Sequence, residues 1–478
     1  MKEYPYYVNG QFLTNEYSME VVDPATGKTF SRIFEAQEKD LQQAISAARS
    51  AQREWRSLSF PERAKELREI GGCMVDNVKA LADLETREIG KPIKESLFVD
   101  ISLGADCFQY YASYIETLPE KIFSTREGKD YLRYDPFGIV GVYLPYNVPL
   151  MIWGFSCAAI LAAGNALIVK PSEHGSLSLL ALMQYVDKLD LPRGLINVIT
   201  GKGDSIGNSL AKSRIDMLSF TGSRKTLKKI IAASAENPKK IICELGGCNI
   251  TTVFSDADQE AALQNILAAS FMKQGQICVG NSVLLVHNSI YEEFISRLVQ
   301  KTSQIKVGDP CLPDTGVGPL PTKDHRDNLN RRIEGVLSQD AKILSGGGII
   351  ERDGYFYPPT IIEVDKIVYE EFFAPVLLVK RFSELQEAEG IISDNPTGLV
   401  LQLWTNNLSL AHILAEKYSY GTVWINTFVQ MNSQTPFGGM KKSGWGRNLG
   451  KCGFFEYIQT KHIGIGFTPS PVCGWFGV

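Results

Sequence analysis

The chain has 478 residues, 44% of them hydrophobic and 21% charged, with a formal net charge of -4. This composition belongs to a folded globular protein and excludes a disordered one, and the length exceeds what one hydrophobic core organises, so two or more domains are expected. The slightly acidic balance provides no electrostatic footprint for nucleic acid or an anionic membrane, and clusters such as Lys225, Lys228 and Lys229 read as a solvated helix face.

The N-terminal segment lacks the apolar core of a signal peptide. Helical periodicity is clear over residues 40–55, where Leu41, Ile45 and Ala48 share one face. A second helix is predicted from Pro61, a residue suited to a first turn, to about 77. From residue 135 short apolar strands alternate with helices. The strands are predicted at 138–144, 166–170, 196–199, 217–221 and 240–244, and helices at 176–189, 204–212 and 224–235. Such alternation predicts a parallel, doubly wound sheet. After Gly247 it restarts, with strands at 249–254 and 282–286 and helices at 259–271 and 291–305, so a second α/β domain is expected. Residues 121–134 and 461–478 stand outside both patterns.

One segment, 148–169, is nearly free of charge and long enough to cross a bilayer. Pro149, Gly154, Gly164 and Asn165 interrupt it, and a buried helix over 149–163 followed by a turn and a strand accounts for the same residues. Nine cysteines are scattered from Cys73 to Cys473 with no C-x-x-C pair, and the five histidines do not cluster, so no metal site is expected. Free thiols in this pattern fit a reducing cytoplasm.

Four segments carry candidate chemistry. In Gln274-Gly275-Gln276-Ile277-Cys278-Val279-Gly280 a cysteine lies among polar and flexible residues, suited to a loop that presents its sulfur to a cleft. A thiol there needs a base to become a nucleophile; alone, it reads equally as a small buried hydrophobe. In Cys243-Glu244-Leu245-Gly246-Gly247 an apolar strand ends in a carboxylate and two glycines, at the sheet edge where open α/β folds bind ligands. Burial would raise the pKa of Glu244 and suit it to act as a base; a surface glutamate before a turn is the alternative. Leu144-Pro145-Tyr146-Asn147-Val148-Pro149 follows a strand and opens a helix, so Asn147 is either an oxyanion donor or a helix cap. Finally, Lys170-Pro171-Ser172-Glu173 offers a cation and a carboxylate to a ribose, and Phe220-Thr221-Gly222-Ser223 opens a helix whose backbone N–H groups favour phosphate. Gly201-x-Gly203-x-x-x-Gly207 is one residue longer than the usual dinucleotide fingerprint.

Taken in this order, these segments resemble the aldehyde dehydrogenase superfamily. The resemblance covers nearly the whole chain, from Val22-Asp23-Pro24-Ala25-Thr26-Gly27 through Pro436-Phe437-Gly438-Gly439 to Gly446-Arg447. It is most specific at Glu244-Leu245-Gly246-Gly247, at Gly275-Gln276-Ile277-Cys278 and at Glu371-Phe372-Phe373-Ala374-Pro375-Val376. It implies a cofactor-binding domain (1–118 and 136–246), a catalytic domain (247–445) and a small β extension (119–135 and 446–478) that builds homodimers or homotetramers.

By the same resemblance Cys278 is the nucleophile, Asn147 with the Cys278 backbone N–H holds the oxyanion, and Glu244 activates the water that hydrolyses a thioester. Lys170, Ser172 and Glu173 would meet the adenine ribose of NAD, or of NADP if Glu173 swings away. Ser223 would meet the phosphates, and Glu371 and Phe373 the nicotinamide end. Leu144, Pro145, Tyr146, Gly203, Gly207, Phe220, Thr221, Gly222, Leu245 and Gly246 would line the crevice, and Ile152, Phe155, Ile277, Val279 and Phe437 an apolar substrate tunnel.

Four positions depart from the common pattern: Ser156 and Asn448 stand where many members carry the lysine and glutamate of a proton relay, Cys248 where lysine is frequent, and Val283 where arginine is. The acylating branches, which pass the acyl group to coenzyme A or phosphate, generally lack the base, so Glu244 favours hydrolysis over that alternative and over a non-catalytic relative.

Overall fold

The computed structural model describes residues 1–126 and 128–467. Its apolar strands assemble into two large sheets. In the first, the order runs Gly444–Trp445, Lys240–Leu245, Met217–Gly222, Ile139–Leu144, Ala166–Pro171, Ile196–Val198, Tyr6–Val8 and Gln11–Leu13. The five central strands are parallel, and Val140 sits opposite both Met217 and Leu167. Their near-continuous Val, Ile and Leu runs follow from burial on both faces. The chain moves outward from Ile139–Leu144 to Ala166–Pro171 and Ile196–Val198, then returns to Met217–Gly222 on the other side. Strand order therefore reverses beside Ile139–Leu144, and a crevice opens at the carboxyl ends of these strands.

The second sheet orders Lys342–Ser345, Thr360–Glu363, Val376–Phe382, Asn281–His287, Asn249–Val253, Val400–Trp404 and Thr422–Ile425, parallel except for its first strand. Gly246, Gly247 and Cys248 alone separate the last strand of one parallel set from Asn249–Val253 of the other. The crevice of the first unit thus opens directly onto the second. The chain also belongs to the first unit again near its end. Gly444–Trp445, which the resemblance groups with the second domain, pairs antiparallel with Lys240–Leu245. Gly444 allows this approach: its φ is +123°, and a Cβ there would lie 2.1 Å from the Cys243 carbonyl oxygen.

The uncharged segment folds as Pro149–Ile152, a π-turn at Trp153–Cys157, Ala158–Ala162, a turn at Gly164 with φ +91°, and the strand Ala166–Pro171. Among the described residues no helix is long and apolar enough to cross a membrane. This helical run lies directly on the helix Ile101–Glu116. A Cβ on Gly154 would come 2.2 Å from the Gly104 carbonyl oxygen, and one on Gly104 would come 2.4 Å from that of Leu150. The two segments outside the α/β pattern meet as a three-stranded antiparallel sheet of Lys121–Ser124, Gly128–Pro136 and Ile458–Gly466. Residues 468–478 of the predicted tail segment lie outside the described residues.

Candidate active site

A cleft of about 1170 Å3 runs along the carboxyl ends of the first sheet to the loop that carries Cys278. Its walls bring together segments far apart in sequence: Leu144 to Asn147, Lys170 to Glu173, Phe220 to Ser223, Glu244 to Gly246, Cys278, and Glu371 to Phe373. Gly203, Gly207, Ile152, Phe155 and Phe437 also line it. Ile277 and Val279 do not. Both are buried in the apolar core of the first unit, and the Cγ2 of Ile277 lies 2.9 Å from where a Cβ of Gly280 would sit. The loop directs the sulfur to the cleft and its two neighbours away from it.

The loop that carries Cys278 is held from several sides. Lys273, Gln274 and Gly275 take left-handed conformations in succession, with φ of +53°, +55° and +67°. Non-glycine residues seldom adopt this region without outside restraint. Part of that restraint is Asn249, whose Nδ2 donates to the carbonyl oxygens of Cys278 at 2.7 Å and Gly280 at 2.8 Å. Cys278 is partly exposed to the cleft, whereas Cys107, Cys157, Cys243 and Cys248 are buried. Burial of the sulfur, together with the nearby carboxylates of Glu371 and Glu244, pushes its thiol up to about 12, with Lys273 opposing. The resting group is therefore the thiol, and it needs a base.

Glu244 closes the strand Lys240–Leu245, opposite Thr221 on one side and Gly444 on the other. Both carboxylate oxygens are buried and have no hydrogen-bond partner. Burial raises its carboxyl well above the ordinary range, opposed by the Arg447 charge and by the Gly439 backbone N–H, which lies near without completing a hydrogen bond. A neighbouring side chain is sterically excluded: a Cβ on Gly438 would lie 2.8 Å from Glu244 Oε1.

Asn147 is 5% exposed, and its Nδ2 donates to the Gln276 carbonyl at 2.8 Å, which ties it to the cysteine loop. Tyr146 adds a hydrogen bond from its hydroxyl to Gln276 Oε1 at 2.8 Å. The helix-cap alternative is removed, because Val148 occupies the cap position of Pro149–Ile152 and Asn147 precedes it. One of the two amide hydrogens of Asn147 has no protein acceptor among the described residues and remains for a ligand.

At the other end of the cleft Lys170 Nζ meets Glu173 Oε2 at 3.1 Å, and Ser223 caps Arg224–Ser234 by accepting from the Thr226 N–H at 3.2 Å. Glu371 lies across Gly246, where a Cβ would be 2.1 Å from Oε2. Burial pushes its carboxyl up to about 7, opposed by the Gly247 N–H and by Arg224 and Arg332. Phe373 has φ +51°.

Sequence reasoning missed Arg332 and His325, both on the helix Lys323–Leu337 and both in the cleft wall. The Arg332 guanidinium donates to the carbonyls of Glu371 at 2.6 Å and Phe372 at 3.1 Å and stacks on the Phe372 ring. No local pattern announces this, since the helix precedes its target by some forty residues.

The departing positions are neutral and packed. The Ser156 hydroxyl is buried without a partner, and Asn448 Oδ1 accepts from Tyr457 at 3.2 Å, whose hydroxyl lies 3.1 Å from that of Ser219. Cys248 and Val283 are buried in the core of the second unit.

With this geometry, comparison with known proteins is decisive. A family model described as the aldehyde dehydrogenase family matches residues 12–463, and the chain belongs to that family. It is 35% identical to a betaine aldehyde dehydrogenase of Bacillus subtilis, over 98% of this chain and 99% of the relative. It is 33% identical to a (Z)-2-((N-methylformamido)methylene)-5-hydroxybutyrolactone dehydrogenase of Acinetobacter baylyi, over 99% of both. Among solved structures it is similar to a betaine aldehyde dehydrogenase of Staphylococcus aureus in complex with NAD+, with a TM-score of 0.95 and 32% identity, covering 99% of this chain and 96% of that one. A Bacillus cereus aldehyde dehydrogenase in an NAD+ complex also has a TM-score of 0.95, at 31% identity, covering 98% of this chain and 97% of that one.

Proposed function

We propose that Cys278, Glu244 and Asn147 are the nucleophile, base and oxyanion donor in the oxidation of an aldehyde to a carboxylic acid, with NAD as hydride acceptor. The observation that carries this reading is their convergence on one cleft whose far end is built for a dinucleotide. The residues there fit the cofactor. The Glu173 carboxylate suits ribose hydroxyls and repels a 2′-phosphate, the Ser223 helix start favours phosphate, and Glu371 and Phe373 line the same cleft, with the Glu371 carboxylate close enough to Cys278 to raise its thiol. Bound NAD supplies the two-electron acceptor that the aldehyde needs.

This chain's own residues do the rest. Cys278 enters as a thiol, and Glu244 is the nearby base able to take its proton. The sulfur attacks the aldehyde carbonyl. The resulting oxyanion is held by the free Asn147 N–H and the Cys278 backbone N–H. After oxidation the acyl group remains on Cys278 as a thioester, and Glu244 deprotonates the water that releases the acid. With both oxygens free of protein partners, Glu244 is ready to bind that water. Ile152, Phe155, Leu399 and Phe437 make the cleft beside the sulfur apolar, which suits an aldehyde with an uncharged tail.

We assign cofactor binding to the unit of the eight-stranded sheet and the nucleophile to that of the seven-stranded sheet. Self-association into dimers or tetramers is assigned to the three-stranded sheet, where Ile122, Phe123 and Ile465, with Phe467 just beyond its last strand, are exposed.

The test is a panel of aldehydes with NAD or NADP, following absorbance of the reduced cofactor. In Glu244→Gln reduced cofactor should form slowly in a single turnover, because the thiol has lost its base, and then stall with the acyl group on Cys278 detectable by mass. Unchanged steady-state acid release in that variant would overturn the role of Glu244.

A further inference from the structure

Five ionisable side chains lie behind the cleft, and none hydrogen-bonds to Cys278, Glu244 or Asn147, although the Lys273 charge acts on the thiol through space. Glu85, Lys91, Glu95, Asp100 and Lys273 are each at most 4% exposed. They form a continuous chain. Glu85 Oε1 accepts the backbone N–H of Leu150 and the hydroxyl of Ser178, each at 3.1 Å. Its Oε2 takes Lys91 Nζ at 2.5 Å, and the same ammonium reaches Asp100 Oδ2 at 2.6 Å. Asp100 Oδ1 accepts from Lys273 Nζ, and the Lys273 backbone N–H donates to Glu95 Oε2 at 2.9 Å.

The two ends of this chain are informative. Leu150 lies in the first turn of the helix that starts two residues after Asn147, where a free backbone N–H needs an outside acceptor. Lys273 is the first of the three left-handed residues that lead to Cys278. The oxyanion donor and the nucleophile already touch directly, through Asn147 and Tyr146 on Gln276. Contacts to that one residue leave room for the two elements to pivot. The ion chain joins the same two elements at a second place, and two separated attachments remove the pivot.

Stability does not explain the arrangement. Replacing buried ion pairs by apolar residues of similar volume is often neutral or stabilising, because desolvating the charges offsets their attraction. What an ion chain adds is directionality: each bond has one preferred geometry, so the parts it joins have one relative placement.

We propose that the buried chain Glu85–Lys91–Asp100–Lys273 is a positioning brace that sets where the Cys278 sulfur stands relative to the Asn147 amide. The proposal rests on the reading under Proposed function and deepens it.

The test uses the full-length enzyme. Lys273→Met combined with Asp100→Leu removes one charge of each sign and leaves the Glu85–Lys91 pair intact. Its thermal unfolding midpoint should match or exceed wild type, while kcat falls by about tenfold or more and KM for NAD stays unchanged, as expected when reacting groups are misplaced rather than the cofactor site lost. Iodoacetamide labelling of Cys278, read by peptide mass, should change in rate alongside. Lys273→Arg, which keeps the charge, should recover most of the kcat lost in Lys273→Met. Wild-type kcat in the folded double variant, or no recovery with arginine, overturns the brace. Should the double variant fail to fold, Glu85→Gln decides: it keeps the acceptor for Leu150 and Ser178 but removes the charge facing Lys91. A lower kcat at constant KM supports the brace, and an unchanged kcat overturns it. If wild type oxidised no aldehyde at all, the functional reading would fall by itself, and the Cys278 labelling rates would still report on the brace.

Discussion

The two ends of the cleft are built on opposite terms. At the nucleotide end polar groups are paired and partly wet: Lys170 with Glu173, and Lys229 with Asp204 at 2.7 Å on the open surface. At the cysteine end polar groups are unpaired and largely shielded: both oxygens of Glu244, one N–H of Asn147, and a thiol that reaches the cleft yet is raised to about 12 by its surroundings. A paired surface group contributes little to stability and is readily replaced. An unpaired buried one costs stability and persists where chemistry uses it. Recognition and reaction thus draw on different physical resources within one cavity.

Substitutions at the cysteine end should have the largest effects. Cys278→Ala should abolish reduced-cofactor formation; residual aldehyde-dependent turnover well above background would remove the thiol from the mechanism. Asn147→Ala should slow hydride transfer by roughly two to three orders of magnitude in a single-turnover measurement, the usual cost of losing an oxyanion donor. A negligible effect would mean that its bond to Gln276 is its whole role.

The pH profile sharpens the same contrast. A carboxyl raised by burial binds its proton more tightly than an ordinary glutamate, so the inactive, protonated form of Glu244 persists to higher pH than it would at the surface. Steady-state acid release should therefore keep climbing with pH above the ordinary carboxylate value of about 4.3 instead of levelling there, and Glu244→Gln should lose that rise. A flat wild-type profile from weakly acid to weakly alkaline pH would contradict a base in this setting.

At the paired end the changes should be smaller. Glu173→Gln should shift the ratio of kcat/KM for NAD over NADP by about tenfold toward NADP, corresponding to ~1.4 kcal/mol of like-charge repulsion removed. An unchanged ratio would place the 2′-hydroxyl elsewhere. Ser223→Ala should lower stability by only about 1 kcal/mol in denaturant unfolding, the worth of one helix cap.

The same divide describes what could be read from the sequence. Strand and helix positions in the first unit were legible because alternation is local: Ile139–Leu144, Met217–Gly222 and Lys240–Leu245 stand within a residue of where the apolar runs place them. The segments around Asn147, Lys170, Phe220 and Glu244 were legible because each ends a strand or opens a helix at the sheet edge, whereas Cys278 and Glu371 lie on loops that precede strands and were legible through the family resemblance. The scaffolding around them was not. Asn249 on Cys278, Arg332 on Glu371 and Glu85 on Leu150 join residues 29, 39 and 65 positions apart. No periodicity marks such partners. Ile277 and Val279 lie outside the cleft wall for a different reason: side-chain direction in a loop follows backbone torsions, which no sequence pattern reports, and here Cys278 faces the cleft while both neighbours point into the core.

The glycine-on-glycine crossing of Gly104 and Gly154 has a practical consequence for altering this enzyme. The helical run that supplies Ile152 and Phe155 rests on its neighbour backbone to backbone, with no interposed side chain to repack. Trimming Ile152 or Phe155 should therefore widen the passage to the sulfur by the volume removed, without the wall sliding inward to refill it. Adding even a methyl group at either glycine would instead lift the whole wall and carry Asn147 with it.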